Sequence, residues 1–412
     1  MTRDAANDAD PGLDLALSGL RVLEVGSLVS APFAAKLLAD FGADVIKIEP
    51  PAHDGAAGDP ARRHGPFPHD EPHPERSALF LALNTNKRSL TLDLDNPRGQ
   101  DLFRRLAISA DAIVENTTPG TMDQRGLAWA QLAESNRALV MTSVTPFGQT
   151  GPYAGYQGPN LVEFATGGQM HMTGEPGREP LKNGGYMADY QAGLNAFSAT
   201  AIATLGAQLH GEGDHVDVGA MQCQASVLEG AMPYWCYLGT DSSMRRGNIM
   251  ASFIGLYPSV DGQIGIHAMA SNWDALLQTI EMPELAEDER FRTQADRMRN
   301  NDELMGIFYT WAADKQKREV YARAGQTRSP VAYVHDMQDL IDSPQLQARG
   351  FLREIDHPET GPLTYAGPPF QMSATPTRDG RAPLLGEHSA DLLAELGLDE
   401  GEIAELRTDG VV

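Results

Sequence analysis

The sequence predicts an α/β protein in which a parallel-sheet domain is accompanied by a smaller α+β domain. Strand and helix patterns alternate from Leu20 to Ile48, and the alternation returns between Ser89 and Val144. After Arg245 the texture changes to short strands followed by charged helices. Repeated strand–helix alternation is the pattern of a parallel sheet, and a change of texture marks a second unit.

Leu20 to Val25 is expected to be a strand, Ala31 to Phe41 a helix and Ala43 to Ile48 a second strand, which together make a βαβ unit. Pro32 in the first helical turn and Gly42 just past its end obey the start and stop rules. A dinucleotide-binding turn would need G-x-G-x-x-G from Gly26. The chain has Gly26-Ser27-Leu28-Val29-Ser30-Ala31 there, so that fingerprint is absent. Pro50 to Pro74 is rich in Pro, Gly and Asp and is expected to be a loop. Its His53, His64, His69 and His73 fit no compact ligand spacing, and no metal site is expected. Ser89 to Leu94, Ala112 to Glu115 and Leu139 to Val144 are further expected strands, with a helix over Pro97 to Ile108. Two buried helices are then expected, Ala188 to Leu209 and Gly219 to about Leu238, the second bent or broken at Pro233. Short strands around Phe253 to Tyr257 and Gln263 to His267 open the second domain.

At 412 residues, 42% hydrophobic and 21% charged, the chain is long enough for two cores and ordinary for a globular protein. Its formal charge of −24 repels nucleic acid and anionic membranes, so neither is an expected partner. No apolar run reaches the roughly 18 residues of a membrane span. The acidic N-terminal stretch lacks the pattern of a signal peptide, which makes a cytoplasmic location the expectation. Cys223 and Cys236 lie in apolar sequence without redox or metal spacing and are expected to be core residues. A polyanionic substrate would have to be met by the few basic positions: Lys87-Arg88, Arg125, Lys182 and Arg245-Arg246.

The segment Gly185-Tyr186-Met187-Ala188-Asp189-Tyr190-Gln191-Ala192-Gly193 places one carboxylate at the head of a helix whose small and apolar residues fall on every face. Such a helix is expected to be buried. Asp189 has two readings. It is a helix cap, held ionised by free N–H groups and the helix dipole. It is also a candidate nucleophile, an anion kept among apolar neighbours with Gly184, Gly185 and Gly193 letting other backbone or a ligand come close.

Taken in order, Leu17 to Glu24 with Leu38 to Glu49, Asn84-Thr85-Asn86-Lys87-Arg88-Ser89, Val114-Glu115-Asn116 with Pro119-Gly120, Gly148-Gln149 with Gly151-Pro152, and Ala188 to Gly193 resemble the family III CoA-transferases. That family includes formyl-CoA, carnitine and benzylsuccinate CoA-transferases and the α-methylacyl-CoA racemases. The resemblance spans nearly the whole chain. It implies that Asp189 is the nucleophile, passing CoA from an acyl-CoA to a carboxylic acid through mixed anhydrides and an aspartyl-CoA thioester. It further implies that Lys87, Asn116 and Arg125 contact CoA, with Gln124 at the position matching the family's basic residue, and that no cofactor is held permanently. Asn160 is a candidate to meet the thioester oxygen or the substrate. By family habit succinyl-CoA is the donor, and a dicarboxylic or aromatic acid the acceptor.

The fold implied is a doubly wound α/β domain over residues 17–222 and 341–412, after an acidic tail over 1–16. A linker helix over 223–244 and a linker over 334–340 flank a small domain over 245–333. Two such chains are implied to interlock as rings in a homodimer, with a heteromer of related subunits as the other arrangement. Racemase activity is the second enzymatic reading, but it needs a histidine where the chain has Gly158-Pro159-Asn160. A non-catalytic acyl-CoA-binding subunit is the third reading, and the presence of Asp189 speaks against it.

Overall fold

A computed structural model describes residues 15–52, 57–228, 230–240 and 247–412. Most of the expected acidic tail, His53 and the Arg245-Arg246 pair lie outside the described residues. The described residues fall into two compact units, one within Met1–Gln169, Asn183–Glu229 and Gln347–Val412, the other within Met170–Lys182 and Gly230–Leu346. Residues 170–182 thus belong with the second unit, where Gly174 O accepts from Gly247 N–H at 3.1 Å and Glu175 from Asn248 N–H at 3.1 Å. The local sequence of that short loop carries no sign of this long-range pairing.

The first unit is built on six strands: β1 (Arg21–Val25), β2 (Asp44–Glu49), β3 (Arg88–Thr91), β4 (Ala112–Glu115), β5 (Val140–Thr145) and β6 (His215–Gly219). They are parallel and lie in the order β3-β2-β1-β4-β5-β6. Successive residues alternate between two cores. Leu23, Ile46 and Ile113 pack with Phe103 and Leu392 on one face, while Val22, Val45 and Val114 pack with Ala34, Leu38 and Ala196 on the other. Burial on both faces is what the continuous apolar strand sequences require. The edge strand β6 was not foreseen, because His215-Val216-Asp217 offers only a short alternation with exposed polar residues.

Two helix expectations change. The helix Met187–His210 is not buried all round. Ala188, Ala192, Ala196, Thr200, Thr204 and Ala207 form its inner face, while Leu194, Ile202, Leu205 and Leu209 are exposed. The expected helix from Gly219 is two helices, Ala220–Ala225 and Ala231–Leu238. The break comes before Pro233, which sits in the first turn of the second helix, where its missing N–H costs nothing.

The second unit carries an antiparallel sheet in the order β10-β9-β8-β7, from β7 (Ile249–Ala251), β8 (Ile254–Ser259), β9 (Gly262–His267) and β10 (Val331–Tyr333). Its core is aromatic, with Phe253, Tyr257 and Phe308 in mutual ring contact. No helix among the described residues is long and apolar enough to cross a membrane.

Beneath the carboxyl ends of β1 and β2 lies a buried ionic cluster. Lys47 Nζ is 2.6 Å from Glu24, 2.9 Å from Asp59 and 3.0 Å from Gly26 O. Burial pulls its pKa down, but Asp59, Glu24 and Glu49 together outweigh burial and raise it. Lys87 shares Glu24 at 2.7 Å and meets only one close carboxylate, so burial prevails and its pKa falls to about 8. Removing one member of such a cluster leaves an uncompensated charge indoors. Lys47→Met is expected to lower unfolding stability by about 3–5 kcal/mol in urea titrations; a loss below about 1 kcal/mol would show that the cluster is dispensable.

Candidate active site

The strand order reverses between β1 and β4, and in an open parallel sheet the crevice at such a switch point is where ligands bind. A cavity of about 500 Å³ opens there. Its walls come from the segments just beyond β1 (Ser27, Leu28), β4 (Asn116, Thr117) and β5 (Pro146), closed by Glu163 and Asp189 from two helices.

The wall beyond β1 is held open by the ionic cluster. Lys47 grips Gly26 O, and Asp59, fixed by Lys47, accepts from Leu28 N–H at 3.0 Å. Leu28 is thereby kept at φ 60°, a left-handed backbone that a branched residue adopts only when its surroundings impose it. From the opposite strand Asn116 clamps the same turn. Its amide donates to Ser27 O at 2.9 Å and to Ser30 Oγ at 3.0 Å, and its oxygen accepts from Ser27 N–H at 2.9 Å.

The Ala188-to-Gly193 segment divides its tasks by helical position. Ala188 and Ala192 are fully buried. A Cβ on Gly193 would stand 2.5 Å from Ser30 O, so this glycine admits the neighbouring helix Ser30–Asp40 and not a ligand. Tyr190 packs edge-on against Phe33 at 4.9 Å. Gln191 accepts from Gln224 at 2.7 Å and donates to Cys223 O at 3.2 Å. Asp189 is the member of the segment that presents a reactive group to the cavity.

Asp189 is not a cap. It is the third residue of its helix, and the capping position is held by Tyr186, whose side chain makes no capping hydrogen bond. Its carboxyl is also not held below the ordinary range, as a helix-head position would suggest. Burial raises its pKa, against the opposing hydrogen bond that Asn160 Nδ2 donates to Oδ2 at 2.9 Å. A more basic carboxylate is a better nucleophile, so this departure favours reactivity over capping.

Of the five residues singled out in the sequence, Asp189, Asn160 and Asn116 come together. Lys87 does not line the cavity. It is buried in the ionic cluster, donating at 2.8 Å to both Pro32 O and Asn84, with Glu24 as its ion partner. Asn84-Thr85-Asn86-Lys87 therefore braces the fold from within, and the expectation of a CoA contact at Lys87 is not met by its position. Arg125 is engaged by Asp95 in a two-pronged pair at 2.8 and 3.1 Å, away from the cavity lining. Among the described lining residues none carries a positive charge, and none is a histidine.

Sequence reasoning missed Glu163 and Thr145. Glu163 lies three residues after Asn160, in the helix Asn160–Thr166. Its signal was a charged residue set between Val162 and Phe164. Burial, and then the charge of Asp189, push its carboxyl up to about 8. Thr145 ends β5, and its hydroxyl, like Glu163 Oε2, has no hydrogen-bond partner within the protein.

The sequence model of CoA-transferase family III matches residues 17–389. The chain is 32% identical over 403 residues to the succinyl-CoA–D-citramalate CoA-transferase of Chloroflexus aurantiacus, covering 96% of this chain and 98% of that one. It is 34% identical over 399 residues to the succinyl-CoA:mesaconate CoA-transferase of Haloarcula hispanica, covering 94% and 98%. A CAIB/BAIF family protein from Brucella suis has a crystal structure that superposes with a TM-score of 0.81 at 32% identity, covering 93% of this chain and all of that one.

The donor from Asn160 favours the ionised form of Asp189. Asn160→Ala is therefore expected to move the titration of Asp189 to higher pH, followed by NMR of a 13C-labelled carboxyl; an unchanged or lower midpoint would contradict the hydrogen bond's role.

Proposed function

The chain belongs to CoA-transferase family III and is a CoA-transferase, and we propose that it moves CoA from succinyl-CoA to a dicarboxylic acid with Asp189 as the covalent carrier. The single observation that carries this reading is the carboxylate of Asp189, oriented by Asn160 and presented to the switch-point cavity. Succinyl-CoA is the donor named in both relatives described above.

In the proposed cycle Asp189 attacks the thioester carbon, the C–S bond breaks, and CoA thiolate leaves with its electron pair, so that a mixed anhydride remains on Asp189. The thiolate returns to the aspartyl carbonyl, giving an aspartyl-CoA thioester and free succinate. The acceptor carboxylate then attacks that thioester, and the released thiolate attacks the acceptor's carbonyl, which regenerates Asp189. No proton has to be removed to start, because the nucleophile is an anion. Every intermediate hydrolyses, so the half-buried setting that raises the carboxyl's pKa also limits the access of water. Inverting an α-carbon would need a second acid–base group opposite Asp189. The histidine that the family's racemases pair with the aspartate is replaced here by Gly158-Pro159-Asn160, which disfavours the racemase reading.

A second copy of the chain is proposed to cover the apolar stripe Leu194, Ile202, Leu205 and Leu209, which a free monomer would leave in water. A cytoplasmic location is proposed with it, since free thiols such as those of Cys223 and Cys236 persist in a reducing compartment.

Asp189→Ala is expected to lower succinyl-CoA-dependent transfer to a panel of dicarboxylic acids by at least about 1,000-fold while leaving the fold intact by circular dichroism. Full activity in that variant would remove Asp189 from the mechanism. Light scattering on serial dilution is expected to report a dimer throughout, and a monomer at low concentration contradicts the covered stripe.

A further inference from the structure

We propose that Glu163 is a second catalytic carboxyl group, whose O–H donates a hydrogen bond to the substrate oxygen that gathers negative charge as Asp189 attacks the thioester. This deepens the reading of Asp189 as nucleophile and rests on it.

The geometry places two partnerless polar groups in one cavity. Glu163 is 5% exposed and shares the cavity wall with Asp189, and its Oε2 meets no partner in the protein. Thr145 is 3% exposed, lines the same cavity, and its hydroxyl is equally unmet. Buried polar atoms are nearly always hydrogen-bonded, so two orphans in one cavity mark the place of a ligand's polar atoms. Two carboxyl groups in one pocket without a cation do not both ionise. Asp189 has the Asn160 donor to support its charge and Glu163 has none, which assigns the anion to Asp189 and the proton to Glu163.

The surroundings of Glu163 reinforce that assignment. The helix Met187–His210 faces it with Asp189, and Tyr190 beside Asp189 has a raised pKa from burial and that same charge. The helix Ala220–Ala225 brings Cys223, whose thiol burial pushes up to about 11, uncharged at neutral pH. Neither helix brings it a positive group, and the carboxyl of Glu163 stands at about 8.

When the Asp189 oxygen bonds to the acyl carbon, the carbonyl π pair moves onto the carbonyl oxygen. The Glu163 O–H and the Thr145 hydroxyl donate to that oxygen. The pair then returns as the C–S bond breaks and the thiolate leaves. The proton stays on Glu163 throughout, and no further reactant is needed. A preorganised donor in a dry site is among the strongest catalytic devices, with one such donor contributing about 100-fold or more.

The test is rapid-quench measurement of Asp189 modification by succinyl-CoA, read by mass spectrometry from about pH 6 to about pH 10, in wild type, Glu163→Gln and Glu163→Leu. Wild type is expected to lose rate above about pH 8. Glu163→Gln keeps a donor that does not titrate. It is expected to retain roughly a tenth or more of the rate and to lose the alkaline fall. Glu163→Leu is expected to be about 100-fold slower at neutral pH. The proposal is overturned if Glu163→Leu reacts within about threefold of wild type, if Glu163→Gln keeps the alkaline fall, or if Glu163→Gln is as slow as Glu163→Leu. Should Glu163→Leu not fold, the pH profile of Glu163→Gln decides alone. A wild type that is never modified at Asp189 overturns both readings; a modified wild type with an indifferent Glu163→Leu overturns this one only.

Discussion

The ammonium of Lys47 is the contact on which the rest of this architecture hangs. It joins β2 to β1 through Glu24, to the loop beyond β2 through Asp59, and to the turn beyond β1 through Gly26 O. The two carboxylates within 3 Å of this buried cation raise its pKa against the pull of burial, which keeps it charged. Through Asp59 the same cation sets Leu28 in a left-handed backbone, and that turn is one wall of the cavity. Lys87 and Arg62 complete the balance: three cations face Glu24, Glu49 and Asp59.

The cavity reverses this economy of charge. A few residues away from a cluster where every carboxylate has its cation, Asp189 and Glu163 share a pocket that offers neutral donors alone among the described lining residues. The pKa of both is raised, first by burial. The fold pairs its carboxylates with cations in the cluster and leaves Asp189 and Glu163 without them among the described lining residues; on the proposed mechanism this matters, since a carboxylate neutralised by a lysine would be a poorer nucleophile. The switch point supplies the place, because the segments beyond β1 and β4 diverge there and leave room between them.

Much of this was legible in the chain. The βαβ opening, the parallel sheet and the segment around Asp189 followed from apolar periodicity, from Pro32 and Gly42, and from a lone acid among small residues. Asn116 and Asn160 were visible as candidates. The surroundings of Lys87 and Gly193 were not legible for one reason: local sequence does not say what lies across the fold. Lys87 next to Arg88 looks like exposed basic surface until Glu24, sixty-three positions earlier, is found beside it. Gly193 leaves open whether backbone or a ligand comes close, and Ser30 O shows that it is backbone. The helix at Met187–His210 has apolar residues on all sides, and periodicity cannot tell the face buried in its own chain from the one left exposed on it. Glu163 was hidden because one acid in an amphipathic turn is commonplace; its partnerless oxygen, and the anion beside it, exist only in three dimensions.

The account stands on one bond, that between the Asp189 carboxyl and the sulfur of CoA. The direct measurement is to mix the protein with succinyl-CoA alone, without any acceptor acid, quench in acid, and map the mass of the peptide that contains Asp189. The account predicts a CoA adduct on Asp189 that hydroxylamine removes and that disappears when an acceptor acid is added before quenching. An unmodified Asp189 peptide under conditions where transfer proceeds, or an adduct on a different residue, would contradict it.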